Sequence, residues 1–250
     1  MSPPKPSPLH PQPTLERYYT NERERRGVIR ELFEGAAEGY DPAEMLTSFG
    51  SGRWYRRKAL ERAGLREGMR VLDVATGTGL VAREAIWIVG DRKLVVGLDA
   101  TRGMLALARE QLDLAIIEAL AEQVPLGDEK FDFLSMGYAL RHVSDLVAMF
   151  REYHRVLRPG GRALILEITK PASAFGRAFM KSYLRGVVPS LSKLSRKGRK
   201  AGKLWEYYWE TIEACVDPDT ILQAMRDGGF SEVERHVELG IFSEYRGIRR

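Results

Sequence analysis

The chain has 250 residues, 39 Lys and Arg against 34 Asp and Glu (formal net charge +5), 44% hydrophobic residues and 29% charged ones. That balance belongs to a globular domain with room for a substantial core, and no apolar run reaches the ~18 residues a membrane span needs. One cysteine, Cys215, excludes an internal disulfide framework. With no CxxC or HExxH spacing and no apolar leader at the start, a cytoplasmic protein without a bound metal is expected. The mild positive charge permits an anionic partner, but nothing resembles an RNA-binding module, so nucleic acid is not expected.

Residues 1–13 carry six prolines and read as an extended or disordered tail, ahead of a single domain over 14–250. Thr14 to Phe33 reads as a charged helix whose apolar face is Val28, Ile29, Leu32 and Phe33. Glycines and Asp41-Pro42 make Gly35 to Gly52 a loop with short turns, and Trp54 to Ala63 a further helix. Residues 14–64 together form a helical N-terminal cap.

The run Val71 to Gly79 (VLDVATGTG) then reads as a buried strand entering a glycine turn, with a helix over Leu80–Val89. Gly77 and Gly79 admit positive φ and let backbone approach a ligand, and the free N–H groups of the helix start face the turn. Leu94 to Asp99 is a second strand ending in an acid, followed by a helix from Thr101 that contains Met104, Leu105 and Leu107. Asp99 stands 20 residues beyond Gly79, where a strand-end carboxylate can accept both ribose hydroxyls.

Further strands are expected at Ala115–Glu118, Phe131–Met136 and Arg162–Ile168, with helices at Ser144–Val156 and Ala172–Val187. A closing hairpin is expected near Val233–Val237 and Ile241–Tyr245. Alternating strands and helices imply an α/β, doubly wound, mostly parallel sheet with a nucleotide site at the carboxyl ends of its strands. Two nucleotides compete. Gly77-x-Gly79-x-x-Ala82 is a passable dinucleotide fingerprint, but no second glycine turn marks a second dinucleotide half. Asp73, inside the strand before the turn, suits a ligand bearing ammonium and sulfonium better than a pyrophosphate.

Five segments carry a resemblance to a known family: LDVATGTG (72–79), GLDAT with Met104-Leu105 (97–105), AEQVP (121–125), FDFLSMGYALRHV (131–143) and RVLRPGGRALILEITKP (155–171). Phe33, Ala37, Tyr40-Asp41, Ser48-Phe49-Gly50 and Trp54 match an N-terminal pattern, and 217–230 and 240–247 a C-terminal one more loosely. The chain resembles class I S-adenosylmethionine-dependent methyltransferases, and among them the ubiquinone/menaquinone-biosynthesis C-methyltransferases. The resemblance implies a Rossmann-like, seven-stranded sheet and S-adenosylmethionine as cofactor. It places Gly77, Thr78 and Gly79 at the methionine and ribose part, Asp99 at the ribose hydroxyls and Met104 over the adenine, with Asp73, Thr76, Ala100, Leu120 and Glu122 also at the cofactor. Ala121 would meet the adenine edge, and Gly137 would lie under the sulfonium. The family usually carries Asn or Asp before that alanine; this chain has Leu120, which leaves Glu122 as the polar side chain beside it.

The implied reaction is methyl transfer to a small aromatic acceptor, C-methylation of a quinone or quinol precursor with or without a polyprenyl tail. A natural-product O- or C-methyltransferase on the same scaffold, or a non-catalytic cofactor-binding partner, stays open. Carbon methylation of a phenol needs loss of the hydroxyl proton, so a base is required. His142 titrates in the right range and is the expected base, although the family usually has Arg-Asn at 141–142. Arg141 is expected to bind the acceptor and stabilise its phenolate, and Tyr40 and Tyr138 to line the acceptor pocket.

Residues 172–215 form an insertion on the acceptor side. Within it Lys193, Arg196, Lys197, Arg199, Lys200 and Lys203 make a basic run without acids from 192 to 205. It reads as a solvated loop, or as a contact through 193–203 that makes the protein peripheral to an anionic membrane. Trp205, Tyr208 and Trp209 share a helix face that can roof an apolar pocket. A homodimer is compatible with the sequence.

Overall fold

The computed structural model describes residues 8–47, 51–171, 173–188, 190 and 202–250, with the side chains at 38–40, 42–47, 202, 203, 205 and 206 left undescribed. Its centre is one seven-stranded sheet. The strands are β1 (Val71–Val74), β2 (Val95–Asp99), β3 (Ala115–Glu118), β4 (Phe131–Gly137), β5 (Leu157–Ile168), β6 (Ser231–Glu238) and β7 (Phe242–Ile248). Their order is β3-β2-β1-β4-β5-β7-β6. The first five run parallel, and β7 is antiparallel to both β5 and β6. All four residues of β1 are buried, as expected of a central parallel strand covered on both faces.

Helices α2 (Ser51–Arg62) and α3 (Leu80–Val89) cover one face through Leu60, Ala82 and Ala85 against Val71, Phe133 and Leu164. On the other face α5 (Leu146–Val156) packs Met149, Phe150 and Tyr153 beside α8 (Pro218–Asp227). Asp145 caps α5 by accepting from the N–H groups of Val147 (3.0 Å) and Ala148 (3.2 Å). Between the first two sheet strands and β3, α4 (Arg102–Leu112) crosses over. A third cluster joins α1 (Glu22–Thr47), α6 (Ala174–Ser182), a π turn (Tyr183–Val187) and α7 (Gly202–Ala214). Among the described residues no helix is long and apolar enough to cross a membrane.

Three expectations change. The proline-rich segment is not a free tail from residue 8 onward: Leu146 N–H donates to the Leu9 carbonyl (2.9 Å) and Val216 N–H to that of Pro11 (2.8 Å). Gln12 is buried and donates to the Tyr19 hydroxyl at 3.2 Å; residues 1–7 lie outside the described residues. An extended proline-rich strand keeps its carbonyls available, and here other elements use them.

The helix expected over Thr14–Phe33 starts only at Glu22, where Asn21 accepts from the N–H of Glu24 at 3.0 Å. It then runs through Gly35 and Asp41-Pro42 to Thr47 instead of breaking. Tertiary ties override the weak propensity. Arg25 donates to the carbonyls of Arg141 (3.1 Å) and Val143 (2.8 Å), Glu34 accepts from the Gly103 N–H (3.2 Å), and Asp41 accepts from the Thr78 hydroxyl. The basic run 193–203 and the segment Ser48-Phe49-Gly50 lie outside the described residues or side chains.

Candidate active site

A cavity of about 420 Å³ opens at the carboxyl ends of β1, β2 and β4, roofed by α1. That volume lies in the range of small-molecule sites. Each part of its wall follows from local sequence. At the end of β1 the chain turns through Ala75 (φ 52°) and Gly77 (φ 55°), and Gly79 (φ 91°) sits at the N-cap of α3. At φ 91° Gly79 is favoured by its conformation, and a Cβ there would also meet the end of the Leu112 side chain, which would have to turn aside. A Cβ at Gly77 would meet nothing within 4 Å; this stretch of backbone faces open space. Thr76, Gly77 and Thr78 line the cavity, whereas Gly79 stands behind them.

Asp73 stands further back still. Its carboxylate accepts from the hydroxyls of Ser135 (2.6 Å) and Thr76 (2.7 Å), and it is absent from the cavity wall. Burial pushes the carboxyl up to about 6 against those hydrogen bonds. Asp73 therefore shapes the glycine turn from behind through Thr76, and a direct contact with the ligand's ammonium does not follow from its position.

Asp99 does reach the cavity. Its oxygens accept from the N–H groups of Gly77 (2.9 Å) and Thr101 (2.8 Å), one each. A carboxylate has about four acceptor positions, so roughly two stay available for a pair of vicinal hydroxyls. Ala100 and Met104 flank it, and Leu98 continues the apolar wall that a purine ring requires. Leu120, Ala121 and Glu122 form the next side of the cavity. Glu122 is already engaged, accepting from the Ser144 N–H.

Across the cavity, β4 ends in Gly137 and Tyr138, both on the wall. Tyr138 adopts φ 60° and donates its N–H to the Leu166 carbonyl at 2.7 Å. Ala75 and Tyr138 thus place two non-glycine residues in the left-handed region at the ends of adjacent strands, at ~1–3 kcal/mol of strain each. Tyr40 lies on α1, its side chain outside the described residues.

The two residues expected to do chemistry part company in a short 3₁₀ turn (Leu140–His142). Such a turn sends consecutive side chains about 120° apart. His142 faces the cavity, edge-on to Phe33 (5.3 Å between ring centres) and stacked on Tyr207 (5.7 Å). Both of its ring nitrogens are shielded from solvent and have no hydrogen-bond partner. Burial, with the Arg141 and Arg25 cations nearby, holds its pKa well below the ordinary value, so the imidazole is neutral.

Arg141 turns inward, fully buried, away from the cavity. It pairs with Glu167 at 3.0 Å, donates to Thr211 (3.0 Å) and to the Tyr208 carbonyl (3.2 Å), and lies over the Tyr208 ring. Burial opposes its charge, but the Glu167 carboxylate overcomes that and holds its pKa above the ordinary value. The arginine expected at the acceptor is instead a bolt between β5 and α7. Glu167→Gln is expected to cost about 3–5 kcal/mol in urea unfolding, because it strands a buried cation. Replacing both partners, Arg141→Met with Glu167→Leu, should cost less; equal and negligible losses would remove the bolt.

Cations on the cavity wall come from elsewhere: Arg26 and Arg30 on α1 and the buried Arg56 on α2. Arg26, Ile29, Arg30 and Phe33 recur at helical spacing; the sequence alone marks Ile29 and Phe33 as part of a packing face and does not single out the two arginines. From the aromatic group, Tyr207 and Tyr208 reach His142, while Trp209 is buried in the third cluster and the Trp205 side chain is undescribed.

A spare-acceptor carboxylate, an apolar slot beside it and an open glycine turn together fit S-adenosylmethionine. Comparison with known proteins agrees. A model of the "ubiE/COQ5 methyltransferase family" matches residues 19–249. The chain is 34% identical over 241 residues to the ubiquinone/menaquinone biosynthesis C-methyltransferase UbiE of Shewanella sp. (strain W3-18-1), covering 93% of this chain and 95% of that one. The enzyme of the same name from Coxiella burnetii (strain Dugway 5J108-111) is 34% identical over 229 residues, 88% of this chain and 90% of that one. In fold the chain is similar to a SAM-dependent methyltransferase, possible histamine N-methyltransferase, of Thermotoga maritima (TM-score 0.63, 20% identity, 89% of this chain and 100% of that one). It is also similar to a SAM-dependent methyltransferase of Aquifex aeolicus (TM-score 0.57, 22% identity, 78% and 89% covered). Strand order, strand-end acid and glycine turn thus converge with these likenesses: the chain belongs to the ubiE/COQ5 methyltransferase family, an S-adenosylmethionine-dependent methyltransferase.

Proposed function

We propose that this methyltransferase acts on a ring carbon of a phenolic quinone precursor, as the names of its relatives indicate for them. The observation that carries the proposal is His142, a neutral imidazole on the wall of a largely apolar cavity, whose two shielded ring nitrogens have no hydrogen-bond partner. A ring carbon becomes nucleophilic when the hydroxyl on the same ring gives up its proton, and a neutral imidazole is ready to take it.

Bound S-adenosylmethionine supplies an activated methyl group. The residues of this chain do the rest. Asp99 and the Gly77 turn hold the nucleoside. Phe33 and Tyr138 give the acceptor ring aromatic walls, and Tyr207 backs His142 from behind. Of the cavity's cations Arg56 is buried, and it supplies the electrostatic stabilisation of a phenolate that Arg141 does not. His142 takes the hydroxyl proton, and the ring later loses the hydrogen at the methylated carbon to recover its aromaticity. One proton is released overall. Placing acceptor and donor in line matters most for such a displacement.

Incubation of the purified chain with methyl-labelled cofactor and demethylmenaquinol or a methoxybenzoquinol precursor tests the reading. A carbon-bound methyl in the product, located by NMR, is expected. An O-methyl ether as product, or no turnover on any phenolic acceptor, would overturn it.

A further inference from the structure

Helix α6 and the π turn that continues it have two apolar stripes where packing needs one. Met180, Leu184 and Val188 are buried in the cluster that contains Tyr207 and Tyr208. The second stripe points out: Phe175 is 83% exposed, Phe179 65% and Val187 45%, with half-buried Tyr183 stacked on Phe179 between them. On the other flank Arg177, Lys181 and Arg185 recur every fourth residue, all exposed. The ridge between the flanks holds only Ala174, Ala178, Ser182 and Gly186, all exposed. Nothing on it is long enough to keep the helix off a flat surface. From residue 168 to residue 190 the chain carries four basic residues, counting Lys170, and no acid.

We infer that this face of α6 docks on an anionic lipid membrane. Exposed aromatics along one flank, short side chains along the ridge and cations along the other are what an interfacial helix needs: the rings enter the headgroup boundary and the cations meet lipid phosphates. The absence of acids over the segment gives the charge match that a flat anionic surface selects. A protein partner would be favoured by shape, and what this face offers is a ridge of short side chains between aromatic and basic flanks. Because the buried stripe shares a cluster with Tyr207, which stacks on His142, docking sets the cavity one helix layer from the lipid.

Co-sedimentation of the full chain with vesicles tests it. Binding is expected to equimolar phosphatidylglycerol and phosphatidylcholine, to be far weaker on phosphatidylcholine alone, and to fall as salt is raised. Phe175→Ser with Phe179→Ser, and separately Arg177→Glu with Lys181→Glu, should each weaken binding at least about tenfold. All four positions are exposed, and circular dichroism checks that each variant folds. Either pair binding like the parent overturns the inference, as does parent protein left in the supernatant with anionic vesicles. A concentration-dependent dimer in ultracentrifugation, abolished by the phenylalanine pair, would overturn it in favour of a second copy on this face.

Discussion

Replacing His142 by phenylalanine is expected to lower turnover about 10²–10⁴-fold while changing cofactor affinity by less than about twofold. Phenylalanine keeps the ring between Phe33 and Tyr207, so the loss reads out the proton-accepting nitrogen and not the packing. Single-turnover rates beside a cofactor titration separate the two; a rate within about twofold of the parent would end the role of His142 as base. The pH dependence adds an independent check. Burial and the two nearby cations keep the imidazole neutral, so the acid limb of the rate profile should lie well below the ordinary histidine value of about 6.5. Stability carries the same sign. In the unfolded chain His142 gains its proton below about pH 6.5, whereas the fold resists it, so the parent loses stability relative to the variant as pH falls through that value.

Asp99→Ala should weaken S-adenosylmethionine binding about 10²–10⁴-fold, since two hydrogen bonds to a charged acceptor are worth ~1.5–3 kcal/mol each. The carboxylate also collects the N–H groups of Gly77 and Thr101, and alanine leaves both donors without their acceptor. Asp99→Asn keeps one acceptor atom and should fall between parent and alanine. Calorimetry with S-adenosylhomocysteine measures the loss directly, and a ligand-induced rise in melting temperature that vanishes in the variant supports it. Affinity equal to the parent's would remove Asp99 from the site.

What was legible in the sequence was local. The helix after the glycine turn spans Leu80–Val89 as expected, because an apolar strand, two positive-φ glycines and a periodic helix agree there without help from elsewhere. The mostly parallel character of the sheet and its closing hairpin were legible for the same reason: alternation of periods needs no long-range partner to be read. The cavity residues at 76–78, 98–100 and 136–138 all sit at strand ends, which connectivity alone aligns.

Elsewhere distant partners decided. Glycine and Asp41-Pro42 say loop, yet α1 continues because Thr78 and Gly103 hold Asp41 and Glu34 on its roof side. A proline-rich stretch says tail, yet α5 and the segment at Val216 take its carbonyls. Arg141 and His142 are neighbours in the chain and look alike as candidates. Glu167 and Thr211 draw the guanidinium into the interior, and the 3₁₀ turn aims the next side chain at the cavity. By itself, then, the sequence determined the sheet, the glycine turn and the acid beside it, because backbone sterics and burial patterns act over a few residues. Only the tertiary structure decided which charged and titratable groups face the ligand, because a long polar side chain goes where its counter-charge lies, and that partner can be anywhere in the chain.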